Sequence, residues 1–247
     1  MLVVKGLNKS FNKKKVLDNV SFNVEAGDLF GFIGRNGAGK STTIKSILNF
    51  VFPDSGEILF KGQSVKKFSF REKIGYLPEI AQLPGNLTAS EFLHYAAGFY
   101  KTDRDILKEK INSLLELVGL EDVKKKLIKN FSKGMKQRLG IAQAVVHDPE
   151  LLILDEPFTG LDPIGKYGLK QILLDLNKKG KTIFFSSHNL SEVEDICTII
   201  CIIHSGNVVY QGKTREFIDK YNAKNLEEAF ITSYHQSGGQ DVERRQV

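Results

Sequence analysis

The apolar run Leu29-Phe30-Gly31-Phe32-Ile33 passes directly into Gly34-Arg35-Asn36-Gly37-Ala38-Gly39-Lys40-Ser41-Thr42. The run has no helical period, so it reads as a buried strand. Beyond the glycines, Ile44, Ile47 and Leu48 fall on one face of a helix from Ser41 to Asn49. Strand, glycine loop and helix in that order fit G-x-x-x-x-G-K-S in the context that phosphate loops require. Glycines let backbone N–H groups face an anion, and the helix N-terminus adds its positive dipole end. In such a loop Lys40 places a charge between β- and γ-phosphates, and Ser41 offers a hydroxyl oxygen to Mg²⁺.

Two later segments extend that reading. Leu151-Leu152-Ile153-Leu154 is a buried strand that ends in Asp155-Glu156. Asp155 would emerge at the C-terminal edge of a parallel sheet, where ligands of α/β proteins sit, and would hold the metal. Glu156 beside it suits a general base acting on water. Between the two motifs lies Phe131-Ser132-Lys133-Gly134-Met135-Lys136-Gln137-Arg138, opening a helix from about Gly134 to His147 that Asp148-Pro149 ends.

The rest of the chain alternates in character. Strands are expected at 2–5, 20–24 and 57–60, with a turn at Pro53-Asp54-Ser55-Gly56. Thr88 and Glu91 form a capping box for a helix carrying Phe92, Tyr95, Ala96 and Phe99 on one face. A second helix starts near Arg104, with Leu107, Ile111, Leu114, Leu115 and Val118 at helical spacing and a stop at Gly119. The α/β pattern resumes after Leu151. A helix spans Asp162-Pro163 to Lys178-Lys179-Gly180, a strand Thr182 to Ser186, and a short helix is capped by Ser191 and Glu194. Ile199 to Ile203 and Val208 to Gln211 pair as a hairpin. The expected architecture is therefore α/β: a parallel-sheet core, an antiparallel β subdomain near the N-terminus, and a helical insert at about 79–148. One domain covers 1–232, and residues 233–247 form a polar tail expected to be disordered.

Composition sets further bounds. With 247 residues, 41% of them apolar, the chain can bury a sizeable core in one domain. The net charge of +6 comes from small lysine clusters, such as Lys13 to Lys15 and Lys124 to Lys126. These read as solvated faces, or as a surface near anionic headgroups. No aromatic interleaving or nucleic-acid motif accompanies them, so no specific nucleic-acid partner is expected. No stretch approaches the roughly 18 apolar residues of a membrane span. The N-terminus reverses the order of a secretory signal. A soluble, intracellular chain is expected. Cys197 and Cys201 are placed on one strand, roughly 13 Å apart and too far for a disulfide, as buried thiols.

With glycine loop, S-x-G-x-x-Q-R segment and acidic strand in that order, the chain resembles the ATP-binding subunit of an ABC transporter, from about Leu2 to Phe230. The branch is the one that powers exporters from a separate membrane subunit. The resemblance implies ATP and Mg²⁺ as cofactors and a P-loop NTPase core. It makes Glu156, His188 and Lys40 catalytic: His188, after the strand, contacts the γ-phosphate and holds the water and Glu156. Gly34, Arg35, Asn36, Gly37, Ala38, Gly39, Lys40, Ser41 and Thr42 cradle phosphate, with Arg35 standing where the family usually has proline. Phe11 matches the aromatic that stacks on adenine. Glu79, after Ile74-Gly75-Tyr76-Leu77-Pro78, replaces the usual glutamine that contacts Mg²⁺, so Ser41, Asp155 and Glu79 form the metal set; many exporter subunits share that glutamate. Ser132 and Gly134 close on the ATP of a second copy or a homologue, and Asp162 lies in the loop bridging the two sites.

The implied partners are that second subunit and a polytopic membrane permease, contacted through residues around 79–99. The implied location is the cytoplasmic face of a membrane. Export rests on the Phe-Ser-Lys-Gly-Met signature and the Leu226-Glu227-Glu228-Ala229-Phe230 ending. A soluble ABC-type ATPase acting on nucleic acid or the ribosome would carry a coiled-coil arm or a second cassette, and neither is present. A binding-only regulator is opposed by intact Lys40, Asp155, Glu156 and His188. Ser237-Gly238-Gly239-Gln240 mimics the common signature by coincidence, since no helix follows it.

Overall fold

A computed structural model describes residues 1–66, 68–100 and 104–236. The strands are β1 (Leu2–Phe11), β2 (Lys14–Val24), β3 (Leu29–Ile33), β4 (Ser55–Phe60), β5 (Gln63–Ser64), β6 (Ile74–Leu77), β7 (Leu151–Asp155), β8 (Thr182–Ser187), β9 (Ile199–His204) and β10 (Asn207–Lys213). The helices are α1 (Lys40–Ile47), α2 (Ala89–Ala97), α3 (Arg104–Leu117), α4 (Lys133–Val145), α5 (Pro163–Lys178), α6 (Leu190–Ile196), α7 (Thr214–Lys220) and α8 (Leu226–Gln236).

The strands make two sheets. One is antiparallel in the order β2-β1-β4-β5, and the other runs β10-β9-β3-β8-β7-β6. In the second, β9, β3, β8, β7 and β6 are parallel and only β10 runs the other way. Every residue of β3, β7 and β8 is buried, which is why the middle of each reads as a short apolar run rather than an alternating pattern. Phenylalanines weld the sheets together. Phe22 of β2 packs against Phe30 and Phe32 of β3 and Phe184 of β8, with ring centroids 5.3–6.0 Å apart.

The strand order positions the site. β8 lies between β3 and β7, so the loops leaving these three strands emerge side by side at one sheet edge. They are the phosphate loop, the Asp155-Glu156 segment and the His188 turn. The insert α2, α3 and α4 leaves the sheet after β6 and returns at β7. Its helix α4 lies directly on β6, where Gly75 allows the approach: a Cβ there would meet the Ala144 carbonyl oxygen at 2.1 Å. The capping box of α2 forms as the sequence predicts. Glu91 N donates to Thr88 Oγ1 at 3.2 Å, and Thr88 N donates to Glu91 Oε2 at 2.8 Å. Thr88→Ala is expected to cost about 1 kcal/mol, read as a melting-temperature loss of about 2–4 °C.

Several boundaries differ from the sequence reading. β1 and β2 extend well past 2–5 and 20–24, because Asn12 and Lys13, with φ of 47° and 67°, close a two-residue turn without glycine. The cap of α6 is Asn189, whose Oδ1 accepts from Ser191 N at 3.1 Å; Ser191 is not the cap. Cys197 sits at the C-terminus of α6, off the strand that carries Cys201. Both cysteines are free and buried, and burial pushes both thiols up. α8 continues to Gln236, past the expected tail start at Ser233. Its polar residues are absorbed locally: Thr232 Oγ1 donates to Glu228 O at 2.8 Å and Ser233 Oγ to Phe230 O at 2.7 Å. The Ser237–Gln240 segment lies outside the described residues. Among the described residues, no helix is long and apolar enough to cross a membrane.

Candidate nucleotide site

Gly39 caps α1 with φ of 110°, and a Cβ there would strike Leu17 Cδ2 at 2.7 Å, so both conformation and space demand glycine. No side chain caps the first turn of α1, which leaves its N–H groups and dipole facing an open cleft of about 200 Å³. The cleft is lined by Arg35, Asn36, Gly37, Gly39, Lys40, Ser41 and Thr42 on one side. Val16, Glu79, Glu156 and His188 form the other. Gly34 and Ala38 belong to the loop but not to this lining. Gly34 O accepts from Lys40 Nζ at 2.6 Å, and Ala38 O accepts from Gly206 N at 3.0 Å.

The charged groups interlock. Lys40 Nζ stands 3.2 Å from Glu156 Oε1, and both side chains are more than nine-tenths buried. The other carboxylate oxygen, Oε2, accepts from His188 Nδ1 at 2.8 Å. Glu156 has φ of 49°, in the left-handed region that non-glycine residues rarely occupy. Ser186 holds it there, its Oγ accepting from Glu156 N at 2.9 Å. The same hydroxyl donates to Asp155 Oδ1 at 2.6 Å. Strained backbone held by several partners is the pattern expected where geometry serves chemistry. Burial and the Asp155 charge push the Tyr76 phenol up to about 12.

Ser41 and Glu79 line the cleft, whereas Asp155 is buried outside its lining with Oδ1 accepting from Ser186 Oγ; together they would offer one hydroxyl and two carboxylates. That is a hard-oxygen set suited to Mg²⁺, which keeps water and phosphate oxygens as its remaining ligands. Among the described residues, no group of three His, Cys, Asp or Glu side chains makes a self-standing metal site.

The remaining expected residues lie apart from the cleft. Phe11 is 45% exposed at the end of β1, with Lys9 Nζ 5.2 Å from its ring centroid, and the apolar wall from that hairpin is Val16 instead. Ser132 caps α4, accepting from Met135 N at 3.2 Å, and Asp162 caps α5, accepting from Gly165 N at 2.8 Å. These two caps adjoin, since a Cβ on Gly134 would lie 3.6 Å from Leu161 Cδ2. Three residues carry weight that the sequence did not assign: Val16, Ser186 and Gln137. Gln137 Nε2, in α4, donates to Pro157 O at 2.9 Å, fastening the signature helix to the residue after Glu156. Ser186 could have been found as the first hydroxyl after the apolar middle, Ile183 to Phe185, of its strand.

Comparison with known proteins places the cleft in context. The family described as "ABC transporter" matches residues 17–159, more than half the chain. An uncharacterized ABC transporter ATP-binding protein of Nostoc is 43% identical over 219 residues, 87% of this chain and 65% of that protein. The chain thus spans just under two thirds of that relative's length. The bacitracin transport ATP-binding protein BcrA of Bacillus licheniformis is 43% identical over 227 residues, 90% of this chain and 72% of that protein. A solved ATP-binding subunit of an ABC transporter superimposes with a TM-score of 0.85 at 34% identity, covering 94% of this chain and 98% of that one. The chain belongs to the ABC transporter family and carries its ATP-binding cassette.

Proposed function

We propose that the chain binds and hydrolyses ATP in a head-to-tail pair and so drives export through a separate membrane permease. The observation that carries this reading is the Lys40–Glu156–His188 cluster at the mouth of the phosphate loop. The loop N–H groups and the α1 dipole receive the phosphates. Lys40, already desolvated, turns from Glu156 toward the γ-phosphate and neutralises charge there. Glu156, freed of that partner, accepts a hydrogen bond from the attacking water as general base. His188 Nδ1 keeps the carboxylate oriented through Oε2. Ser41, Asp155 and Glu79 would hold Mg²⁺, which would supply charge neutralisation at the phosphates.

One copy brings only half of this arrangement. Ser132, Gly134 and Asp162 form an adjoining pair of helix N-termini away from the copy's own cleft. They suit the γ-phosphate side of a nucleotide held by a second copy or a homologue. Residues 1–232 would act as one cassette, with 79–148 as its helical subdomain. Coupling to the permease through 79–99 is supported by apolar side chains left in solvent, Ile80 at 75%, Phe99 at 72% and Tyr95 at 62% exposure. That surface, together with BcrA's named role in transport, supports a place on the cytoplasmic face of a membrane, held by the permease.

Dilution tests the paired site. The specific ATPase activity of the purified chain is expected to fall about tenfold for each tenfold dilution below the pair's dissociation constant, by mass action. Turnover per chain that is independent of concentration, from a particle of monomer mass, would overturn the proposal.

A further inference from the structure

Arg35 lines the nucleotide cleft and also a second cavity behind the phosphate loop. This cavity of about 350 Å³ is walled by Gly34, Asn36, His188, Leu190 and, on its far side, Phe230 of α8. The base of α8 is fixed: Leu226 and Ala229 are fully buried, and Leu226 N donates to Glu194 Oε2 of α6 at 2.8 Å. Phe230 and Tyr234 are four residues apart, so they share the helix face turned toward the loop. The Arg35 guanidinium lies 5.9 Å from the Tyr234 ring centroid, and the same ring meets His204 edge-on at 5.1 Å. His204 ends β9, and its neighbour Ile203 supports the loop from below, since a Cβ on Gly34 would meet Ile203 O at 2.5 Å. One aromatic ring thus touches both the phosphate loop and the hairpin on which the loop rests.

We propose that Tyr234 is a positioning residue for nucleotide binding, acting through Arg35; the inference rests on the ATP-binding reading above. A guanidinium over an aromatic face is held by the ring quadrupole. Held there, Arg35 stays clear of the space beside Lys40, and the loop keeps the shape that receives phosphate. Released, its long side chain samples many rotamers over the cleft mouth, and that freedom must be lost when ATP binds. The C-terminal helix is therefore a brace on the phosphate loop, although no residue of α8 lines the nucleotide cleft.

Calorimetric titration with ATP and steady-state kinetics on the full chain test this with Tyr234→Phe, Tyr234→Ala, Arg35→Ala and the double alanine variant. Tyr234→Ala is expected to weaken ATP binding about two- to fivefold, the range of one cation–π contact at a partly exposed site. Its kcat at saturating ATP should stay within about twofold of the parent, because an interaction that organises binding alone leaves the chemical step unchanged. Tyr234→Phe should bind like the parent, since the ring face is kept. The double variant should bind no more weakly than Arg35→Ala. Parent-like affinity in Tyr234→Ala, failure of phenylalanine to restore binding, or effects that multiply in the double variant would each overturn the brace. If Tyr234→Ala does not fold, Tyr234→Leu takes its place, since it removes the ring face and keeps bulk, and parent affinity in that variant overturns the brace as well. A parent chain that itself binds no ATP would instead remove the nucleotide reading on which the brace depends.

Discussion

Glu156→Gln is expected to lower ATP turnover by at least about 100-fold while ATP binding survives, the usual loss on removing a general base. The amide keeps the shape of the side chain. Its carbonyl oxygen can still accept from His188 Nδ1, and its backbone N–H still donates to Ser186 Oγ. What it loses is the charge that pairs with Lys40 at 3.2 Å and the basicity that would take a proton from water. Removing that charge also frees Lys40 from a competing buried partner, so affinity for ATP should hold or rise. Single-turnover hydrolysis and size-exclusion chromatography with ATP measure both effects. The variant should elute as a long-lived pair with ATP and as single copies without it. Parent-rate hydrolysis by Glu156→Gln would show that the proton goes elsewhere.

Gly75→Ala is expected to destabilise the fold by about 3 kcal/mol, toward the upper end for an overpacked core. The added methyl would lie 2.1 Å from the Ala144 carbonyl oxygen and 2.6 Å from Leu152 Cδ2. Leu152 can change rotamer, but the carbonyl belongs to the backbone of α4 and cannot turn away. Relief requires α4 to lift from β6, and α4 carries both the signature and the Gln137 bond to Pro157. A melting temperature lower by roughly 6–12 °C is expected for a chain of this length. Gly168→Ala in α5 is the matched control, because a Cβ there meets nothing within 4 Å. That change should be neutral or slightly stabilising. Equal melting temperatures for the Gly75 and Gly168 variants would mean that β6 and α4 separate without cost.

The elements around the site were legible because each carries a strong local signal. Leu29–Ile33 and residues 151–154 carry no polar side chain and are too short for core helices, and each runs into residues with a chemical reason to follow a strand. The capping box at Thr88 was readable for the same reason, since two side chains at fixed spacing specify one turn. Less legible was whatever depends on the partner across space. Lys14 and Lys15 read as a loop cluster, yet they open β2, whose register against β1 compensates their low strand propensity. Cys197 looks continuous with the strand at Ile199, because a buried helix end and a buried strand are equally apolar. Among site residues, the motif glycines, Lys40 and Glu156 announce themselves by spacing. Ser186 does not: its importance lies in bonding Asp155 at the end of the adjacent strand and Glu156 just past it, which no spacing within its own segment reveals.

The Gln137–Pro157 bond has a consequence for traffic between the active centres of a pair. In the head-to-tail assembly proposed above, each chain would contribute Glu156 to one centre and Ser132 to the other, and this buried amide would join the two contributions. Whatever one nucleotide does to the tilt of α4 is felt at the carbonyl next to the opposite centre's carboxylate. Thermodynamic linkage makes that influence reciprocal and equal in free energy. Two fuel molecules in such a pair would then be coupled, and sigmoidal dependence on ATP is the expected signature of an engine wired in this way.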